Sequence, residues 1–159
     1  MNIFQDEHIV ILKILLKHHV EFMLVGGVAV NYYGFNRPTG DLDVWLKPDT
    51  ENKRKLIKAL IELKIVEQDI AVINASDFSK PLVFHIGTTP PFVIDFMTKI
   101  SGVLWQEAWK KRSDSEFEGL NLSFIHINDL KANKFMSGRP KDLEDIRQLM
   151  RIEELRKKK

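Results

Sequence analysis

A pair of glycines and a pair of aspartates constrain this chain more than anything else in it. The short run Glu21-Phe22-Met23-Leu24-Val25 stops at Gly26-Gly27, and thirteen residues separate Gly27 from Asp41-Leu42-Asp43-Val44-Trp45-Leu46. The first run reads as a buried strand ended by glycine, and residues 28–33 read as a short helix closed by Gly34. Residues 41–46 alternate strictly, which predicts a strand with two distinct faces. Residues i and i+2 of a strand share a face, so Asp41 and Asp43 project together while Leu42 and Val44 enter the core.

That arrangement carries chemistry. Two neighbouring carboxylates repel one another and are costly to hold ionised without a cation between them. Hard oxygen donors of this kind suit Mg²⁺ (or Mn²⁺), and Mg²⁺ commonly takes one or two carboxylates and completes its shell with phosphate oxygens. Gly26 and Gly27 supply a second element. A strand that turns into a helix through glycine lets backbone N–H groups come close to phosphate oxygens, and the helix dipole favours their charge. Taken singly, a Gly-Gly is an ordinary tight turn and an Asp-x-Asp an ordinary solvated strand end. Together at this spacing they predict a phosphate cradle beside a metal site.

The rest of the chain reads as alternating helices and strands. Residues 7–18 form a well-buried helix. A second helix begins at Asp49 or Thr50 as N-cap and runs to about residue 64. Strands are expected at 82–87 and 92–97, joined by Thr88-Thr89-Pro90-Pro91 as a hairpin, and a last strand at 120–127. Helices are expected at 103–111, 129–137 and 141–155, the last two parted by Gly138-Arg139-Pro140. With no repeat or linker, the expectation is one domain over residues 1–159, its helical part at about 128–155 and a solvated basic tail at 156–159. The fold class is α/β, a mixed sheet flanked by helices.

On these residues the chain resembles the nucleotidyltransferase superfamily, whose fold is that of polymerase β. The resemblance runs from Leu24-Val25-Gly26-Gly27 through Gly34, Arg37 and Thr39 to Asp41 and Asp43. It is especially similar to the AbiEii/AbiGii-type branch. The later segment, Leu130 through Lys134 and then Gly138-Arg139-Pro140-Lys141-Asp142-Leu143-Glu144-Asp145-Ile146, is similar to that branch's C-terminal motif. The resemblance covers roughly residues 20–150. It implies transfer of a nucleoside monophosphate from a triphosphate to an acceptor, with release of pyrophosphate. It also implies that some members of the branch are toxins of bacterial toxin–antitoxin or phage-defence pairs, so that an antitoxin protein is a conceivable partner.

A two-metal displacement calls for a third carboxylate on a neighbouring strand, completing the metal site or deprotonating the attacking hydroxyl. Asp95, inside the apolar run Phe92–Met97, is the best match, and a charge there needs a partner in any case. Asp69 and Asp77 lie in turn-like sequence and are weaker candidates. Arg37 could hold a phosphate with its planar fork or form a salt bridge. Thr39 could bind a phosphate or shape the turn. Lys134 and Arg139, near the joint of the last helices, could face the triphosphate or be solvated.

Other polar residues read as structural. Asp142 and Asp145 are expected to organise the last helix. His85, in an apolar strand, reads as a satisfied, partly buried histidine. Trp45, Trp105 and Trp109 read as core or rim before base-stacking platform.

Bulk properties narrow the classes further. A chain 44% hydrophobic and 29% charged is that of an ordinary globular protein, which argues against disorder. The absence of cysteine excludes disulfides, thiolate zinc sites and a cysteine nucleophile. A net charge of +2 gives little support to nucleic-acid binding without catalysis. No run suits a signal peptide or a membrane span, so a cytoplasmic location is expected. Little chain remains for a dedicated acceptor-binding domain, which favours a macromolecular acceptor or a partner protein over a small molecule. The competing reading is a module that keeps the fold without turnover; retention of both Asp41 and Asp43 argues against it.

Overall fold

The computed structural model describes residues 3–87 and 93–158. Helix α1 (Asp6–Lys17) precedes strand β1 (Phe22–Val25), helix α2 (Gly26–Tyr32) and strand β2 (Leu42–Leu46). Helices α3 (Thr50–Glu62) and α4 (Glu67–Ala75) lead to strands β3 (Val83–Ile86) and β4 (Ile94–Met97). Helix α5 (Trp105–Lys111), strands β5 (Ser113–Phe117) and β6 (Leu120–Phe124), and helices α6 (Ile127–Ser137) and α7 (Pro140–Lys157) complete the order.

The six strands form one mixed sheet in the order β3-β4-β2-β1-β6-β5. Strands β1 and β2 are antiparallel, as are β3 with β4 and β5 with β6, whereas β2 with β4 and β1 with β6 are parallel. The expected link at residues 88–91 lies outside the described residues, but its two strands do pair antiparallel.

Alternation along the strands creates two cores. Leu24, Leu42, Val44, Ile94 and Phe96 face one side and pack with Leu12, Leu15, Leu56 and Leu60 of α1 and α3. Met23, Val25 and Trp45 face the other, against Val30 of α2, Trp105 of α5, Leu130 of α6 and Leu149 of α7. Each such large side chain, fully buried, contributes roughly 1.5–3 kcal/mol relative to exposure. Asn52 locks α3 to the sheet: its amide accepts from Glu21 N at 2.8 Å and donates to Glu21 O at 2.8 Å. Asp49 caps that helix by accepting from Asn52 N at 2.8 Å.

Several boundaries differ from expectation. Helix α2 starts at Gly26, because both glycines belong to its first turn. Strand β2 starts at Leu42, leaving Asp41 just ahead of it. Strand β6 ends at Phe124, since His126 caps α6 by accepting from Asn128 N. Helix α4 and strand β5 were not expected. Asp69 therefore lies in a helix, not in a turn.

Candidate active site

The two strand registers place the decisive side chains. Asp43 is paired with Asp95 across the parallel β2–β4 ladder, so both carboxylates leave the sheet on the same face, one strand apart. That face is the one carrying Met23, Val25 and Trp45, and the carboxylates lie where its helical cover opens into a cavity of about 470 Å³. Nine candidate residues of the sequence analysis line it: Gly26 and Gly27 at the start of α2, Arg37, Thr39 and Asp41 before β2, Asp43 and Asp95 on the sheet, Lys134 and Arg139 around the α6–α7 joint; Asp69 and Asp77 do not.

The glycines are there because nothing else fits. Gly26 has φ +65°, and a β-carbon on it would lie 1.9 Å from Oδ2 of Asp43. A β-carbon on Gly27 would meet Oγ1 of Thr39 at 2.5 Å. Thr39 shapes the approach to β2, donating from Oγ1 to Asp41 O at 3.3 Å. Burial raises the Asp43 carboxyl to about 6, with Asp95 and then Asp41 adding like-charge repulsion that Lys134 and Lys141 partly offset.

The opposite wall is cationic and tightly braced. Lys134 is buried and pairs with Asp145 at 2.8 Å and Asp142 at 3.4 Å. Arg37 donates from Nε and Nη2 to the two oxygens of Asp145 at 2.7 and 2.8 Å, a bidentate fork. Arg139, largely exposed, holds Asp142 at 2.8 Å. Burial works to raise the Asp142 carboxyl, yet hydrogen bonds from Arg139 and Ser137 and the charge of Lys134 outweigh it, leaving it at about 2. Asp142 and Asp145 thus do more than organise their helix: they tie α7 to α6 and to the segment before β2.

The sequence of this fold matches, over residues 6–156, the family DUF6036, described as nucleotidyltransferases of unknown function. The chain belongs to that family. Among solved structures, it resembles the lincomycin-bound lincosamide antibiotic adenylyltransferase LnuA at 16% identity, with a TM-score of 0.60 over 96% of this chain and 99% of that one. A Thermotoga maritima protein assigned as a nucleotidyltransferase follows at 12% identity and TM-score 0.57, covering 93% of this chain and 95% of that one. An antigenic nucleotidyltransferase-like protein of Paracoccidioides brasiliensis gives 14% identity and TM-score 0.55, covering 94% of this chain and 75% of that one. A comparison with curated proteins gave no match. The fold is therefore a nucleotidyltransferase fold, as expected.

Nucleotidyltransferases generally use divalent metals, and the donor chemistry here suits one: hard oxygens, a half-buried Asp43 that its neighbours leave short of positive charge, and a glycine held open beside it. Asp41, Asp43 and Asp95 line one cavity, and both of the others act electrostatically on Asp43. Among the described residues no group of three or more His, Asp or Glu side chains is placed to hold a metal ion. Asp95 is held from the neighbouring strand: its Oδ1 accepts a hydrogen bond from Nδ1 of His85 on β3. One or two carboxylates with phosphate oxygens remain a sufficient shell for Mg²⁺.

His85 itself differs from expectation: its side chain is 62% exposed, on the open face of an edge strand. Sequence reasoning also missed Lys99 and Lys141, which line the cavity. Lys141 stood in the C-terminal motif without a role given to it, while Lys99 had no signal beyond its spacing from Asp95. The tryptophans are core and rim: Trp45 is buried and donates from Nε1 to Thr98 O at 3.2 Å, Trp105 stacks on Trp109, and Arg112 lies 3.8 Å over the Trp109 ring. No helix among the described residues is long and apolar enough to cross a membrane.

Proposed function

We propose that this protein transfers a nucleoside monophosphate from a nucleoside triphosphate to a hydroxyl acceptor, with Mg²⁺ or Mn²⁺ held by Asp41, Asp43 and Asp95, the last also facing the acceptor. The observation that carries the reading is the cavity's division: carboxylates from the strand ends on one wall, and Lys134, Arg139 and Lys141 from the α6–α7 joint on the other. A bound divalent ion supplies charge neutralisation at the reacting phosphate. The side chains supply positioning and fixed charge, which account for most catalysis in this class of reaction.

In that reaction the acceptor oxygen bonds to the α-phosphorus, the bond from that phosphorus to the bridging oxygen breaks, and pyrophosphate leaves. Asp95 accepts the proton of the acceptor hydroxyl. Gly26 and Gly27 admit the phosphates close to the backbone, while Lys134 and Arg139 hold them from the opposite wall. Arg37 acts through Asp145, which holds both Arg37 and Lys134 in place.

The acceptor is a protein, an RNA end or a small molecule. Chain length no longer counts against the last, since LnuA, spanned over 99% of its length by this chain, is a lincosamide antibiotic adenylyltransferase. Membership of the AbiEii/AbiGii-type branch, and with it toxicity and an antitoxin partner, rests on the motifs Gly26-Gly27 and Lys134…Gly138-Arg139-Pro140-Lys141-Asp142. The test is transfer of label from α-³²P nucleoside triphosphates to total RNA, to protein and to antibiotics. Label that appears with wild type and not with Asp43→Asn supports the reading; label independent of Asp43 removes it.

A further inference from the structure

Three consecutive strands carry one row of polar side chains across the open end of the sheet. Asp43 on β2 pairs in register with Asp95 on β4, and Asp95 pairs in register with His85 on β3. All three leave the same face. Over β3 that face is uncovered: Val83, which shares it with His85, is 68% exposed. Asp95 lines the cavity and His85 does not, so the histidine stands behind the carboxylate on the side away from Asp43.

We propose that His85 is a positioning residue for this site: by donating from Nδ1 to Oδ1 of Asp95, it fixes which carboxylate oxygen faces the cation and the acceptor. The assignment rests on the function proposed above. A carboxylate on a strand rotates about two side-chain bonds, and no helix covers it from the β3 side. The hydrogen bond from the neighbouring strand removes that freedom. It commits Oδ1 outward and leaves Oδ2 for the cavity. It also fixes the imidazole tautomer, with the proton on Nδ1 and the lone pair on Nε2. Carboxylates that serve metal ions are commonly held by such outer partners, and loss of one weakens metal binding about 10–100-fold. An exposed pair of this kind contributes little to folding, so stability alone does not account for it.

The experiment is a Mn²⁺ titration in the presence of each α,β-methylene nucleoside triphosphate, followed by electron paramagnetic resonance against a protein-free blank, on wild type, His85→Ala, His85→Asn and His85→Gln, each checked for folding by circular dichroism. Asparagine places its amide nitrogen where Nδ1 stands; glutamine places it nearer Nε2. His85→Ala and His85→Gln are expected to bind Mn²⁺ about 10–100-fold more weakly, and His85→Asn to stay within a few-fold of wild type. A folded His85→Ala that binds Mn²⁺ as wild type does, or more tightly, overturns the assignment while leaving the proposed function intact. A wild type that binds no Mn²⁺ beyond the blank with any of the four triphosphate analogues removes the proposed function and the assignment together.

Discussion

Gly26 and Asp43 are so close that a β-carbon on the glycine would lie 1.9 Å from the aspartate's Oδ2. Gly26→Ala therefore forces a left-handed residue to carry a side chain, at about 1–2 kcal/mol, and pushes it into the carboxylate. The variant is expected to melt at lower temperature and to lose Mg²⁺-dependent triphosphate binding. A variant that binds as wild type does would show that the glycine is not needed for the approach.

Asp43 gives the metal-free protein a signature against pH. Its carboxyl titrates at about 6 in the fold, against an ordinary value of 3.8. Between those values the folded chain holds a proton that the unfolded chain has released, so stability falls as pH rises from about 4 to 6. The loss is on the order of 2–3 kcal/mol. Asp43→Asn should flatten this slope in urea titrations and, above pH 6, be more stable than wild type while binding no Mg²⁺·triphosphate. A parallel slope in the variant would contradict it.

The braced wall predicts the opposite dependence. Asp142 titrates at about 2 in the fold, so its contribution is complete above pH 4 and is lost as pH falls towards 2. Lys134→Ala leaves Asp142 and Asp145 facing each other with one cation fewer, and truncating one partner of a buried pair typically costs about 3–5 kcal/mol. Urea denaturation of that variant should show such a loss at neutral pH. A change under 1 kcal/mol would mean that the lysine is not what holds α6 and α7 together.

Much of this was legible in residue pattern. Strict alternation at 41–46 announced the two faces of β2, and Gly26-Gly27 announced the close approach. What escaped has physical causes. Helix α4 carries Val72 on an exposed face and buries only Ile73 fully, so its apolar stripe is too thin to read. In strand β5, Ser113-Asp114-Ser115-Glu116 offers no apolar alternation, and its place comes from pairing with β6. The roles of Asp145 and His85, and the tie from Asp142 to Lys134, are set by contacts 8 to 108 residues apart in sequence, which no local pattern encodes.

The central claim, a divalent cation and a triphosphate held by Asp41 and Asp43, is tested most directly by calorimetry. Each of the four nucleoside triphosphates is titrated with and without Mg²⁺ into wild type and into Asp41→Ala/Asp43→Ala. The account predicts Mg²⁺-dependent binding of at least one triphosphate by wild type and none by the double variant. A folded wild type that binds no triphosphate, or a double variant that binds as well, would contradict it.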